Sequence, residues 1–228
     1  MQNKAGRIGA AVFDAYGTLL DVHAAMEKHA ARIGPDWQRV SQDWRNKQLE
    51  YTWVRSLAGS SHHRDFFALT REALAFTAAK HGITDRVLLA DVLDAYRRLA
   101  AYPEAPNVLA RLKDRGIGRA ILSNGEPRML ADAVLAAGFI PLLDDVLSVE
   151  SVRVCKPDPR VYQLATARFG LPAERIAFLS SNGWDAFGAH AFGFRVFWVN
   201  RTGQPDEYGL RGNVTELSDL SDLPDALS

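Results

Sequence analysis

An α/β fold, a doubly wound parallel sheet carrying an inserted all-helical cap, is predicted by three observations. From Pro103 onward short apolar runs alternate with helical segments, the pattern of strands joined by crossover helices. A similar apolar run, Ala10-Ala-Val-Phe13, stands near the N-terminus. Between them lies a block with helical periodicity and no convincing strand. Residues 1–20 and 103–228 are therefore expected to form the core, and 21–102 the cap, inserted after the first strand and lying over its end.

The first strand leads into Asp14, and Gly17 supplies a turn, so a carboxylate stands at the strand tip, where open parallel sheets place their sites. These residues alone leave open an aspartate that merely caps the turn. In the cap, Val22 to Ile33 is Ala-rich and closed by Gly34-Pro35; Asp36 then precedes a helical pattern through Leu57, broken by Gly59-Ser-Ser61. Phe66, Phe67, Leu69, Leu74 and Phe76 mark a third helix up to His81-Gly82. Asp85 opens a fourth, with Val87, Leu88, Val92, Tyr96 and Leu99 at helical spacing. Beyond Pro103, helices are expected over 108–115, 127–137, 159–169 and 184–192, and strands over 119–122, 146–149, 176–179 and 196–199.

Composition narrows the partners. Over 228 residues, 27 basic and 27 acidic side chains leave no net charge, hence no electrostatic reason to expect nucleic acid or an anionic membrane. A small molecule is the expected partner. Cys155 is the only cysteine, which excludes an intrachain disulfide and a Cys cluster for zinc, and the six histidines show no ligand spacing with carboxylates. Cys155 adjoins Lys156, which leaves open a lowered thiol pKa or a passive neighbour. Met1-Gln-Asn-Lys-Ala-Gly-Arg7 has no apolar signal core and no 18-residue apolar run occurs, so a cytoplasmic protein is expected.

Three further strand ends carry polar clusters: Leu122-Ser123-Asn124-Gly125, Cys155-Lys156-Pro157-Asp158, and Leu179-Ser180-Ser181-Asn182-Gly183-Trp184-Asp185. In a doubly wound sheet they converge on Asp14. With the Asp14-x-x-x-Thr18 spacing, the set resembles the haloacid dehalogenase superfamily, with its Rossmann-like core, over nearly the whole chain. Superfamily phosphatases carry a second Asp two residues after the nucleophile and paired carboxylates at the last cluster, for Mg²⁺ and proton transfer. Here Tyr16 and Ser180-Ser181-Asn182 stand in those places. A halide, the anion of a strong acid, leaves without a proton, so the departure fits carbon-halogen cleavage and no metal or other cofactor is expected. The lid segment Trp44-Arg45-Asn46-Lys47-Gln48-Leu49-Glu50-Tyr51-Thr52-Trp53 resembles that of the L-2-haloacid dehalogenases; Asn46 replaces an expected Gln and Gly183 an expected Ala, both bearing on substrate size.

The resemblance implies hydrolysis of a short-chain L-2-haloalkanoate to the D-2-hydroxy acid through an ester on Asp14. Lys156 would offset the charge of Asp14, and Thr18 would hydrogen-bond near it. Ser123 and backbone N–H groups after strand one, near Gly17 and including Ala15, would hold the substrate carboxylate. Arg45, Asn124 and Trp184 would cradle the halide. Ser180 and Asn182 would orient Asp14 and Lys156, with Tyr162 supporting them. Asp185 would position or activate the hydrolytic water, its pKa lowered by Lys156. Tyr16, Leu49, Phe66 or Phe67, and Trp184 would wall the pocket. A homodimer, joined through the aromatic-rich lid helices, is expected by the same resemblance. Two alternatives remain. A Mg²⁺-dependent phosphatase or phosphonate-cleaving relative is opposed by Tyr16. A silent carboxylate- or partner-binding relative would be expected to have lost part of Asp14, Arg45, Lys156, Asn182 and Asp185, all of which are present.

Overall fold

The computed structural model describes residues 6–227; the first five residues of the N-terminal segment considered above, and residue 228, lie outside the described residues. Six strands form one parallel sheet: β1 (Ala10–Phe13), β2 (Gly118–Ser123), β3 (Asp145–Ser148), β4 (Ile176–Ser180), β5 (Arg195–Val199) and β6 (Thr215–Leu217). Their order across the sheet is β3-β2-β1-β4-β5-β6. The chain therefore moves outward to one side of β1 and then to the other, which makes the tip of β1 the topological switch point, the crevice where such sheets bind ligands.

The strands are short and apolar on both faces because both faces are covered. Ala11 and Phe13 point into one cluster with Ile121, Leu179 and Leu109; Ala10 and Val12 point into the other with Leu122, Phe178 and Tyr162. The helices α6 (Ala105–Asp114) and α7 (Pro127–Ala136) cover the first face, and α8 (Pro159–Phe169) and α9 (Gly183–Phe192) the second. A short C-terminal helix, Leu223–Ala226, packs against α6.

Between β1 and α6 the described residues are helical: α1 (Ala24–Glu27), α2 (Ala30–Ile33), α3 (Trp37–Leu57), α4 (Phe66–Lys80) and α5 (Arg86–Arg97). The two connections to the sheet are tied together, Asp21 N donating to Ala100 O at 2.9 Å and Tyr102 N to Leu19 O at 3.0 Å. Asp65 and Asp85 accept from the first-turn amides of α4 and α5, as their cap positions require. Asp36 sits at the N-cap of α3 without such a bond. The Ala-rich segment is two short helices rather than one, parted at His29. No helix among the described residues is long and apolar enough to cross a membrane.

Candidate active site

Four loops meet at the C-terminal edge of the sheet. β1 delivers Asp14, a residue 6% exposed whose carboxylate is held at both oxygens. Lys156 Nζ donates to Oδ1 at 3.0 Å, Asn182 Nδ2 to Oδ2 at 2.8 Å, and Thr18 Oγ1 reaches Oδ2 at 3.5 Å. The turn after Asp14 depends on Gly17, whose φ of 94° lies in the left-handed region. That turn commits Gly17 N to Leu20 O and Thr18 N to Ala15 O. The amides of Ala15 and Tyr16 have no acceptor among the described residues, so they, rather than those of Gly17 and Thr18, are the free donors beside the carboxylate.

Lys156 precedes α8, is 1% exposed, and also donates to Asp185 Oδ2 at 2.9 Å. The Tyr162 hydroxyl donates to Asp185 Oδ1 at 2.8 Å. Two carboxylates thus share one enclosed ammonium. Dehydration works to lower the lysine, but attraction from Asp14 and Asp185 outweighs it and holds the ammonium above its ordinary pKa. Burial pushes Asp185 above the usual carboxylate range; Lys156 opposes the rise and Asp14 adds to it. The expected lowering of Asp185 is therefore reversed, because one shared ammonium does not offset complete burial.

On β2, Ser123 is fully buried and its Oγ accepts from Gly125 N at 3.1 Å. Asn124 Oδ1 accepts from Lys156 N at 3.0 Å, leaving Nδ2 without an acceptor among the described residues. From the cap, Arg45 reaches across with one nitrogen 3.4 Å from both Tyr16 O and Asn182 Oδ1. Tyr16 stacks on Tyr96 at 5.7 Å and meets Phe66 at 5.6 Å, and its enclosed hydroxyl has no hydrogen-bond partner among the described residues. Leu49 is also buried, and Trp184 meets Trp53 edge-on at 5.4 Å. No group of three or more His, Cys, Asp or Glu side chains among the described residues is placed to hold a metal ion.

This arrangement has known counterparts. The family model for haloacid dehalogenase-like hydrolases matches residues 8–193. The chain is 46% identical to (S)-2-haloacid dehalogenase 1 of Pseudomonas sp. strain CBS-3, covering 96% of each chain. The chain belongs to the haloacid dehalogenase-like hydrolases. A solved structure described as a dehalogenase superposes with a TM-score of 0.93 at 42% identity, covering 96% of both chains. The L-2-haloacid dehalogenase of Xanthobacter autotrophicus, with chloropropionic acid covalently bound, superposes with a TM-score of 0.88 at 37% identity, covering 96% of this chain and 98% of that one.

Against this family frame, several sequence expectations shift. Ser180 is hydrogen-bonded to neither Asp14 nor Lys156; its Oγ accepts from Asn182 N at 3.2 Å and so shapes the loop that presents Asn182. Asn46 is exposed and accepts from Gln42 Nε2 at 2.8 Å, which removes it from the pocket wall. At Gly183 a Cβ would overlap the Glu207 carboxyl, so glycine here makes room for a surface side chain. Arg45 also reaches Asn182 Oδ1 at 3.4 Å, a contact that no expectation assigned to it. Burial pushes the Cys155 thiol up to about 11, since the ammonium of its neighbour faces the two carboxylates.

Two residues that the sequence left without roles join the site. Ser181 N donates to Thr18 Oγ1 at 2.9 Å and its hydroxyl to Gly17 O, binding the last loop to the first turn. Gln48 is 1% exposed and accepts from Arg45 at 2.7 Å, while its amide nitrogen donates to Thr70 Oγ1 at 2.6 Å. The three-residue spacing of Arg45 and Gln48, which places them on one helix face, was the available signal.

Proposed function

We propose that this protein hydrolyses short-chain L-2-haloalkanoic acids to D-2-hydroxy acids, without a metal, through an ester on Asp14. The observation that carries the reading is Asp14 itself: an enclosed carboxylate at the switch point of the sheet, held by Lys156 and Asn182, with Tyr16 where a phosphatase would carry its second aspartate. The (S)-2-haloacid dehalogenase of Pseudomonas and the covalent chloropropionic acid complex of the Xanthobacter enzyme support the substrate class and the covalent route.

Bringing a carboxylate substrate against Asp14 costs about 4 kcal/mol for charges about 4 Å apart at an effective dielectric of 20. Lys156 offsets part of that repulsion from behind Asp14, and the free amides of Ala15 and Tyr16, with Ser123, bind the substrate carboxylate. An Asp14 oxygen attacks the α-carbon, and the carbon-halogen electron pair leaves with the halide. That displacement inverts the carbon. Arg45, Asn124 and Trp184 receive the halide, a weakly hydrated guanidinium suiting a weakly hydrated anion. Tyr16, Leu49 and Phe66 exclude bulk water from the alkyl group.

Water then attacks the carboxyl carbon of Asp14, breaking the acyl-oxygen bond, so the inverted configuration is kept, Asp14 is regenerated and a proton is released. Asp185 positions Lys156, with Tyr162 fixing it, and orients or activates the hydrolytic water with its remaining acceptor capacity; Thr18 and Asn182 hold Asp14, and Ser180 shapes the loop that presents Asn182. We further place the protein in the cytoplasm and expect a homodimer through α3 and α4, whose Val54 and Phe76 are exposed; a monomer mass by light scattering would contradict the latter. A single turnover in oxygen-18 water tests the ester: label is expected in Asp14 and absent from the first product. Label in that product would mean direct attack by water.

A further inference from the structure

The structure assigns a positioning role to Arg201, the second residue after β5: it braces the turn that carries Asp14 and Thr18 against the root of the cap. The brace is a matter of geometry; its effect on turnover rests on the dehalogenase reading above. Asn200 fixes where the arginine starts, its side-chain amide donating to Gln204 O at 3.0 Å and to Glu216 Oε1 at 2.7 Å. From there the guanidinium meets three parts of the chain. One nitrogen donates to Thr18 O at 2.9 Å, another lies 2.6 Å from Glu104 Oε1, and the central carbon sits over the Tyr102 ring, 3.7 Å from its centre.

Each of these contacts lands where the cap joins the core. Thr18 stands at the start of the outgoing connection, and Tyr102 and Glu104 at the end of the returning one. The two connections bond to each other through Tyr102 N to Leu19 O and Asp21 N to Ala100 O, so Arg201 grips both sides of one joint. Glu104 stands at the N-cap of α6 yet makes no capping bond; its carboxylate pairs with Arg201 instead. Thr18 links the joint to the reacting group. Its Oγ1 accepts from Ser181 N at 2.9 Å and reaches Asp14 Oδ2 at 3.5 Å, so the carbonyl that Arg201 holds belongs to a residue touching the nucleophile. On the cap side Arg45 crosses to Tyr16 O and Asn182 at 3.4 Å, and a rotation at the joint would carry α3 and Arg45 with it. Attack by Asp14 and reception of the halide by Arg45 are thereby kept in one alignment. A planar guanidinium can bond a carbonyl, pair with a carboxylate and lie over a ring at once, which the single ammonium of a lysine does less well.

The experiment takes two readings on wild type, Arg201→Met, Arg201→Lys and Glu104→Gln: amide hydrogen exchange, and kcat and KM for L-2-chloropropionate well below the melting temperature. Arg201→Met is expected to speed exchange of the Asp21 and Tyr102 amides about tenfold or more while the amides of β4 keep their protection. It is expected to lower kcat about 10- to 100-fold, the scale of a displacement of about 1 Å at a reacting group, with a smaller change in KM. Arg201→Lys and Glu104→Gln are expected to fall between it and wild type in both readings. An arginine that only stabilises the fold would lower the melting temperature and leave kcat and both amides of the folded enzyme unchanged, which overturns the proposal. So does a fall in kcat without faster exchange at the joint, or faster exchange with kcat unchanged. Should Arg201→Met fail to fold, the two milder variants decide by the same readings. Absence of halide release in wild type would discard the dehalogenase reading, and exchange at the joint would then decide the brace by itself.

Discussion

Lys156 Nζ lies 3.0 Å from Asp14 Oδ1, with both side chains almost wholly enclosed. Among the described residues the same ammonium is the one cation paired with Asp185, so removing it strands two buried carboxylates. Lys156→Met keeps the length of the chain and removes the charge. It is expected to abolish halide release and to destabilise the fold by about 3–5 kcal/mol, the cost of breaking a buried pair from one side. Urea unfolding at pH 7 measures the second effect; an unchanged midpoint would show that the triad carries no such coupling.

Asn182 touches both Asp14 Oδ2 and Arg45, and so joins nucleophile to lid. Asn182→Ala is expected to lower kcat about 100-fold, as loss of one oriented donor in a water-poor site commonly does. Steady-state kinetics on L-2-chloropropionate give the value, and a kcat within twofold of wild type would remove Asn182 from the mechanism.

Tyr162→Phe deletes the hydroxyl that donates to Asp185 Oδ1 at 2.8 Å and lies 3.2 Å from the Asp185 backbone oxygen. An enclosed carboxylate oxygen left unpaired costs about 1–3 kcal/mol. The expected result is a lower melting temperature with a smaller loss of kcat than Asn182→Ala, since Tyr162 acts on Asp14 only through Asp185 and Lys156. Calorimetry and kinetics on one preparation decide the order.

Cys155 gives a pH prediction. Its ordinary value of 9.0 rises to about 11 in the fold, mainly through burial. Between those values the unfolded thiol has lost its proton and the folded one has not, so the unfolded state binds fewer protons and stability falls as pH rises. Lys156, raised in the fold, acts in the same direction at the alkaline end. Thiolate absorbance near 240 nm in the native protein is expected to titrate near 11; titration below 9 would show that Lys156 activates the thiol after all.

The parts of this structure legible in the sequence were those decided by periodicity and topology. Runs such as Ile176 to Leu179 are apolar at every position because the strand is covered on both faces, and once the order of strands is parallel their polar ends must share one edge. That is why Asp14, Ser123, Lys156, Asn182 and Asp185 could be named together. β6 escaped because Thr215-Glu216-Leu217 is a short edge strand, exposed at two of its three residues. Helix α6 begins at Ala105, a turn before its first predicted residue, since Pro106 sits well in a first turn. Gln48 and Ser181 were hidden for another reason: their partners come from cap packing and loop closure, which no local pattern carries. Asp185 does lie beside Lys156, yet its carboxyl stands above the ordinary range, because a sequence shows a neighbouring lysine but not the water that burial removes.

The central claim is that Asp14 displaces halide from one enantiomer without a metal. Halide release from L- and D-2-chloropropionate, each with excess EDTA, on wild type and Asp14→Asn, tests it most directly. The account predicts release from the L enantiomer alone, indifferent to EDTA and lost in the variant. Release that requires Mg²⁺, or that persists in Asp14→Asn, would contradict it.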